Sequence, residues 1–528
     1  MSEGKQLNTR ASAVIAFFVM CSRMLGLVRE VVFNALFGTA SMGLFLIAFR
    51  APNLLRDLFA EGALSTAFVT VFSQRIEKEG EASAWALASK MLTLAALFMS
   101  FVSLLGVVFA RPLIGLLAPG FAAEDMEMTV LLTQIMYPFI LLVSLAALVM
   151  GMLNSKNIFA APAMASSFFN IGSIVGGATL GWMIDREFGE KALIGLAMGT
   201  LIGGFLQFAV QLPSLRRAGF RYRPDFRWTD PGIKKILVLM VPSVIAASAV
   251  QINVLVNSSF ASFVGKEAVT WLNSAFRLMQ LPIGVFGVAV ATITLPVISR
   301  IAVDADTSRF GPTLGRALRL AVFLTLPASV GLWFLSPSII GLIYQHGEFR
   351  AEDTLQTAYA LQFYSLGLVA YACIKVLSPA FYAIDRKWTP MVVSFGSVGL
   401  NLLLNYLFMF HGNLGHRGLA LSTSICAVLN FGVLYFLMSS PKIPLSSARF
   451  FGSASRCVLA AIPLGIVCWG SSPAEQLLFP QPVFWQKALM LFGTISLASV
   501  LYLATAWVLR VEEVQEAVGI VRRKFKRG

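Results

Sequence analysis

Apolar stretches of about 20 or more residues recur along nearly the whole chain, each long enough to cross a ~30 Å hydrocarbon core as a helix. In lipid every backbone N–H and C=O must find a partner within the protein, so such a chain folds as helices or as a closed barrel. Continuous apolar runs, rather than two-residue alternation, select helices. The 528 residues are 57% apolar and only 13% charged, against roughly 25% charged in soluble domains. The fold class is therefore an all-α polytopic membrane protein, with no soluble domain of any size between the spans.

Fourteen membrane helices are expected, at about 11–36, 43–74, 84–110, 129–153, 160–184, 192–215, 234–263, 268–298, 314–336, 354–384, 388–411, 418–439, 449–469 and 484–510. The first is too long and too charged for a signal peptide, and no small-residue cleavage site follows it. Lys5, Arg10, Arg75, Lys78, Lys156, Arg300, Arg309, Arg386 and Lys387 fall on one side of this topology. By the positive-inside rule that side is cytoplasmic, and both termini lie there.

An internal repeat is legible. Ala48-Phe49-Arg50 recurs at Ala275-Phe276-Arg277, the turn at Pro112 is answered at Pro337, and the stretch from Gly195 is answered from Gly418, all at offsets near 225. Helices 1–6 and 7–12 thus form two copies of one bundle. An even number of helices makes the copies parallel, with a binding site expected between the lobes. The division is 1–215 for the N-lobe, 216–233 for a basic amphipathic cytoplasmic linker, 234–440 for the C-lobe, and 441–528 for helices 13 and 14 with a basic tail.

From Arg23 to Glu61, two otherwise apolar segments carry Arg23, Arg29, Glu30, Arg50, Arg56, Asp57 and Glu61. An ionisable side chain at the centre of a membrane helix costs at least ~2.5–3.5 kcal/mol unless it faces water or a partner, so the cluster implies a hydrated interior. Arg23 and Glu30 share a helical stripe, as do Arg50, Asp57 and Glu61; Arg56 points elsewhere unless Pro52 bends the helix. The second repeat contributes Arg277 and Lys375, leaving an excess of bases at membrane depth that favours an anion, which arginine grips through its planar fork. Structural ion pairing or snorkelling is the alternative, with Arg29 its best candidate.

The remaining features carry other roles. The formal charge of +15 sits in short loops, which points to topology rather than nucleic acid, and the basic, aromatic-interleaved linker suits anionic headgroups. Five scattered cysteines show no metal or disulfide spacing, and no P-loop or paired-acid catalytic motif occurs, so neither cofactor nor catalysis is indicated. Asn401 and Asn405, with Ser422 and Thr423, either line a cation site or hydrogen-bond between helices; paired glycines such as Gly176-Gly177 suit close packing.

Three motifs carry a specific resemblance: SRMLGLVRE at Ser22–Glu30, AFRAPNLLRDLFAEGALSTAFV at Ala48–Val69, and FRLMQLPIGVFGVAVATITLP at Phe276–Pro296. They resemble the MurJ (MviN) family of the multidrug/oligosaccharidyl-lipid/polysaccharide exporter superfamily. The resemblance implies flipping of lipid II, the undecaprenyl-diphosphate-linked disaccharide peptide, across the bacterial cytoplasmic membrane, with helices 13 and 14 forming a groove for the lipid tail. On matching positions, Arg23, Arg29, Arg56 and Arg277 correspond to the family's functional arginines, and Asn53 and Glu61 to polar positions of the same motif. Where many members have acids, this chain has Gly43 and Phe276; where sodium-binding members have a helix-11 aspartate, it has Asn405. The alternatives are an exporter of another polyprenyl-linked polysaccharide or amphiphile, or a non-transporting scaffold of cell-wall synthesis, whose proteins are possible partners in either case.

Overall fold

The computed structural model describes residues 9–58, 64–303, 307–439, 443, 445–479 and 483–515. Among them the chain is helical almost throughout. Twelve helices are long and apolar enough to cross a membrane, or thirteen if one bent pair counts as a single span.

The first helix explains why this number differs from fourteen. It runs from Thr9 to Leu55 (α1), 47 residues, or roughly 70 Å at 1.5 Å per residue, more than twice a hydrocarbon core. It breaks at Gly38, whose φ of 70° and ψ of 169° are not helical. Glycine adopts that backbone without a Cβ clash. The break falls between the first two crossings expected from the sequence, so one continuous helical run holds the first and the start of the second. Past Pro52 the chain makes a π-helical turn at 56–58 and resumes as α2 (Ser65–Glu79).

Gly80, at φ 85°, turns the chain into α3 (Glu81–Val108), followed by α4 (Ala110–Leu117), α5 (Ala123–Met136) and α6 (Phe139–Ser155). Next come α7 (Ala160–Ile184), α8 (Ala192–Ala209), the short α9 (Leu212–Arg217) and α10 (Pro231–Val264). Asp230 caps α10 by accepting from the Gly232 amide at 2.8 Å, with Pro231 just inside the helix. After Gly265, α11 (Lys266–Pro282) leads through a π-turn at Ile283–Gly287 into α12 (Val288–Val303). The rest are α13 (Thr307–Ile343), α14 (Ala351–Ser365), α15 (Leu368–Ala383), α16 (Trp388–Tyr406), α17 (Gly415–Met438), α18 (Ser447–Leu478) and α19 (Phe484–Val508). The pair α14 and α15 bends by 47°.

The chain divides into two compact units, Met1–Thr270 with His346–Glu348, and Trp271–Gln345 with Phe349–Gly528. In the first, Phe68, Phe72, Leu87, Leu148 and Met152 form a buried cluster, and Phe33, Leu44, Phe45, Leu132 and Leu196 another. Helices α7 and α8 approach closely through glycine: a Cβ on Gly199 would lie 2.1 Å from the Gly177 nitrogen, and one on Gly195 2.3 Å from that of Gly181. These glycines pack helices, as their setting in apolar segments suggested.

In the second unit Phe310, Leu318, Leu377 and Phe381 are buried together. The two C-terminal helices pack onto α13: Tyr502 stacks on Phe323 at 5.5 Å and donates to its carbonyl at 2.9 Å, while Arg319 bonds Glu513 at 2.8 Å. Outward faces are apolar, as on α3, where Phe98, Phe101, Leu104 and Val108 are all more than half exposed. In water such a surface would aggregate; in a bilayer it is the solvated face.

Candidate functional site

The first unit's cationic residues separate into two kinds. Arg23 is exposed on α1 and lines a cavity of about 440 Å³ where α1, α6 and α7 meet, together with Ser22, Asn154, Ser166 and Pro162. Asn170, on α7, donates to the Ser22 carbonyl at 3.1 Å and holds the two helices in register beside it. Among the described residues Arg23 has no carboxylate within 4.0 Å. A guanidinium at the mouth of such a cavity offers its positive charge and five N–H donors to whatever enters.

Arg29 lies deeper, half-buried, with its guanidinium 4.9 Å from the centre of the Phe169 ring. That contact is a packing and cation–π one. Arg56 pairs with its neighbour Asp57, Nε and Nη2 donating to Oδ1 at 3.1 and 2.9 Å. Asn53 donates to Oδ2 of the same carboxylate at 3.4 Å, and Gln251 of α10 does so at 3.3 Å. Regular helical spacing turned Arg56 away from this stripe; the π-turn at 56–58, beyond Pro52, brings it in. Arg50 sits half-buried one and a half turns earlier. Glu61 lies outside the described residues, as do Lys5 and the basic tail at 522–527.

Gln251 and the cavity-lining Ser22, Asn154 and Ser166 were not singled out from the sequence. A lone glutamine within the apolar run of α10 was the available signal for the first; single small polar residues give almost none.

In the second unit Arg277 is half-buried on α11, six residues before a π-turn that begins at Ile283. Arg50 likewise precedes the turn beginning at Arg56 by six, so both the arginine and the helical irregularity recur 227 residues on. Lys375 is exposed on α15. Phe276 packs edge-on against Tyr364 at 5.4 Å. Gly43 is buried so closely on the chain at Lys266 that a Cβ would lie 1.9 Å from its carbonyl oxygen.

Asn401, Asn405 and Ser422 are fully buried and bond one another: Asn405 donates to Asn401 at 3.1 Å, Asn401 to Ser422 at 3.3 Å, and Ser422 back to Asn405. Interhelical hydrogen bonding accounts for these groups. Among the described residues no group of three or more His, Cys, Asp or Glu is placed to hold a metal ion.

The linker is anchored by its acids. Asp230 receives Arg75 at 2.8 Å and Lys90 at 2.6 Å. Burial opposes its ionisation, but the bonds from Arg75, Lys90 and the Gly232 amide prevail and hold the carboxyl down at about 2. Asp225 is held down to about 2 by the side chain and amide of Arg227.

A family model described as lipid II flippase MurJ matches residues 33–488. The probable lipid II flippase MurJ of Vibrio cholerae is 33% identical over 516 residues, covering 95% of this chain and 96% of that protein. The lipid II flippase MurJ of Burkholderia cenocepacia is 33% identical over 468 residues, 87% of this chain and 89% of its own. Among solved structures, a lipid II flippase MurJ in an inward closed conformation superposes with a TM-score of 0.77 at 27% identity, covering 95% of this chain and 100% of that one. An inward-facing multidrug resistance MATE transporter of the MOP superfamily shares the fold at a TM-score of 0.67 and 17% identity, covering 80% of this chain and 96% of that one. With two of the three motifs, Ala48–Val69 and Phe276–Pro296, inside the span that the family model matches, and relatives 33% identical over most of both chains, the chain belongs to the lipid II flippase MurJ family.

Proposed function

We propose that this protein flips lipid II from the cytoplasmic to the periplasmic leaflet of the bacterial cytoplasmic membrane. Family membership supplies the substrate, and Arg23, exposed to its cavity with no carboxylate within 4.0 Å among the described residues, is the observation that carries the chemistry. The diphosphate is held by Arg23, Arg29, Arg50, Arg56 and Arg277, with Asn53 and Glu61 as polar neighbours. Moving a doubly charged head through hydrocarbon is prohibitive, whereas a site that opens first to one side and then to the other keeps it hydrated or paired throughout. The polyprenyl tail stays in lipid, which spares its exposure to water.

The named relatives are flippases, and no step here makes or breaks a covalent bond. Both termini are cytoplasmic in this scheme, and the linker arginines face anionic headgroups. Proteins of cell-wall synthesis are natural neighbours of such a transporter. The test is reconstitution of the purified protein in vesicles with lipid II and measurement of its transfer between leaflets. Arg23→Gln should abolish transfer while leaving the protein folded; transfer at the unmutated rate would remove the anion site from the mechanism.

A further inference from the structure

We propose that a cavity beneath the basic linker of the first unit binds one anionic phospholipid, with an acyl chain inside and the phosphate at Arg216 and Arg221. The cavity measures about 810 Å³, within the ~300–1,000 Å³ of pockets that enclose a small ligand. Its walls are apolar and come from three membrane helices: Leu92 and Ala96 of α3, Leu145 and Val149 of α6, and Phe208 of α8, closed by Leu215 of α9. Arg216, Arg221 and Tyr222 stand at the same cavity. An apolar interior under a cationic rim matches one chemistry, a lipid tail with an anionic head.

Four observations make this a built site rather than a loose loop over a gap. Phe220 is buried and packs on Trp85 at 5.3 Å, and the Tyr222 hydroxyl is 2.9 Å from the Thr93 hydroxyl, so the linker is fixed across the opening. The linker's two acids are engaged elsewhere, Asp230 with Arg75 and Lys90 and Asp225 with Arg227. Arg216 and Arg221 are exposed, and among the described residues neither has a carboxylate within 4.0 Å, so their charge is available to a ligand. Finally, Tyr222, Phe226 and Trp228 are each more than half exposed beside the rim. Of these, Tyr222 and Trp228 are amphipathic rings of the kind that sits at headgroup depth.

The site is separate from Arg23 and its cavity, and it needs no transport of lipid II. It is tested on the full-length protein, stripped of lipid in detergent and reloaded from nanodiscs of phosphatidylglycerol, phosphatidylethanolamine or their mixture, with retained lipid counted by native mass spectrometry. One phosphatidylglycerol should be retained in preference to phosphatidylethanolamine by roughly thirtyfold, about fivefold for each arginine. Arg216→Gln with Arg221→Gln should bring that preference close to one. Ala96→Trp, and more mildly Ala96→Leu if the larger residue prevents folding, should reduce retention of both lipids by filling the tail pocket.

Equal retention of both lipids by the unmutated protein would overturn the proposal. So would charge-dependent retention that neither Ala96 variant alters, since that is attraction to a surface and not occupancy of a cavity. Displacement of phosphatidylglycerol by equimolar lipid II would also overturn it, by making this a substrate site. Arg23→Gln provides the separation from transport: it should lose lipid II flipping yet retain phosphatidylglycerol as before.

Discussion

Arg56 and Asp57 are adjacent in sequence, yet they form an ion pair in which two guanidinium nitrogens of one meet a single carboxylate oxygen of the other, at 3.1 and 2.9 Å. Successive side chains of a regular α-helix do not face one another. The pair exists because the helix leaves α-geometry at this point. Its acid is shared with Asn53 and Gln251, so the charge of Arg56 is partly offset where, among the described residues, that of Arg23 is not.

Opposite effects on ligand affinity are therefore expected from the two partners. Arg56→Gln should weaken lipid II binding, whereas Asp57→Asn should leave it unchanged or strengthen it. A double-mutant cycle on thermal stability should give a coupling of about 0.2–1 kcal/mol for this partly exposed pair. Equal loss of affinity in both single variants would show that the pair acts as one unit and that Arg56 has no separate role toward the diphosphate.

Arg23 and Arg29 should differ in kind. Removing Arg23 deletes charge-assisted bonds to the ligand, each worth about 1.5–3 kcal/mol, so Arg23→Gln should weaken lipid II binding at least tenfold with little change in melting temperature. Arg29 also stacks on Phe169, and Arg29→Gln should lower the melting temperature as well as weaken binding. Phe169→Leu should reproduce part of that loss, about 0.5–1 kcal/mol. A Phe169→Leu protein that melts normally while Arg29→Gln fails only in binding would leave Arg29 its place at the diphosphate and none in packing.

The linker anchor sets a pH dependence. Asp230 has a folded pKa near 2, below its ordinary 3.8. A carboxyl depressed on folding contributes stability above its unfolded pKa and loses it as pH falls through the folded one. About 2 kcal/mol should therefore be present at neutral pH and disappear between about pH 4 and pH 2. Melting curves of the purified protein across that range should show the decline, and Asp230→Asn should be less stable at pH 7 and flatter below pH 4. A parallel decline in both proteins would assign the acid sensitivity to other carboxyls.

How much of this was legible in the sequence follows from the physics of each feature. Apolar run length reports helices directly, because nothing but a helix satisfies the backbone of such a segment in lipid. The repeat was legible because Arg50 and Arg277 are costly residues in equivalent places, and both prove to precede a π-turn by the same interval. The turn itself was not legible, since one extra residue in a helical turn leaves no compositional mark; that is why Arg56 was turned away from Asp57. Nor does composition distinguish Gly38, where the backbone breaks, from Gly199, where helices touch. Only φ and the neighbour decide.

Gly43 gives a steric prediction. A Cβ there meets the Lys266 carbonyl oxygen at 1.9 Å, and backbone cannot swing away as a side chain can. Gly43→Ala should cost about 1–3 kcal/mol, and Gly43→Asp, which is larger and brings a charge, should cost more. Normal melting of Gly43→Asp, measured in the detergent used for the parent protein, would show that α1 and the Lys266 backbone separate readily.

The last prediction weighs charge against shape at Arg277. Arg277→Lys keeps the charge and loses the planar fork that spans two phosphate oxygens; Arg277→Ala loses both. If diphosphate recognition is bidentate, lysine should weaken lipid II binding by about tenfold and alanine further, with both proteins melting close to the parent. A point-charge interaction gives a different order: lysine would match arginine and only alanine would fail. A structural role gives a third, with melting lowered in both variants and affinity per folded molecule unchanged. Lipid II affinity and melting temperature taken on the same preparations separate the three, and the third pattern would remove Arg277 from the substrate site.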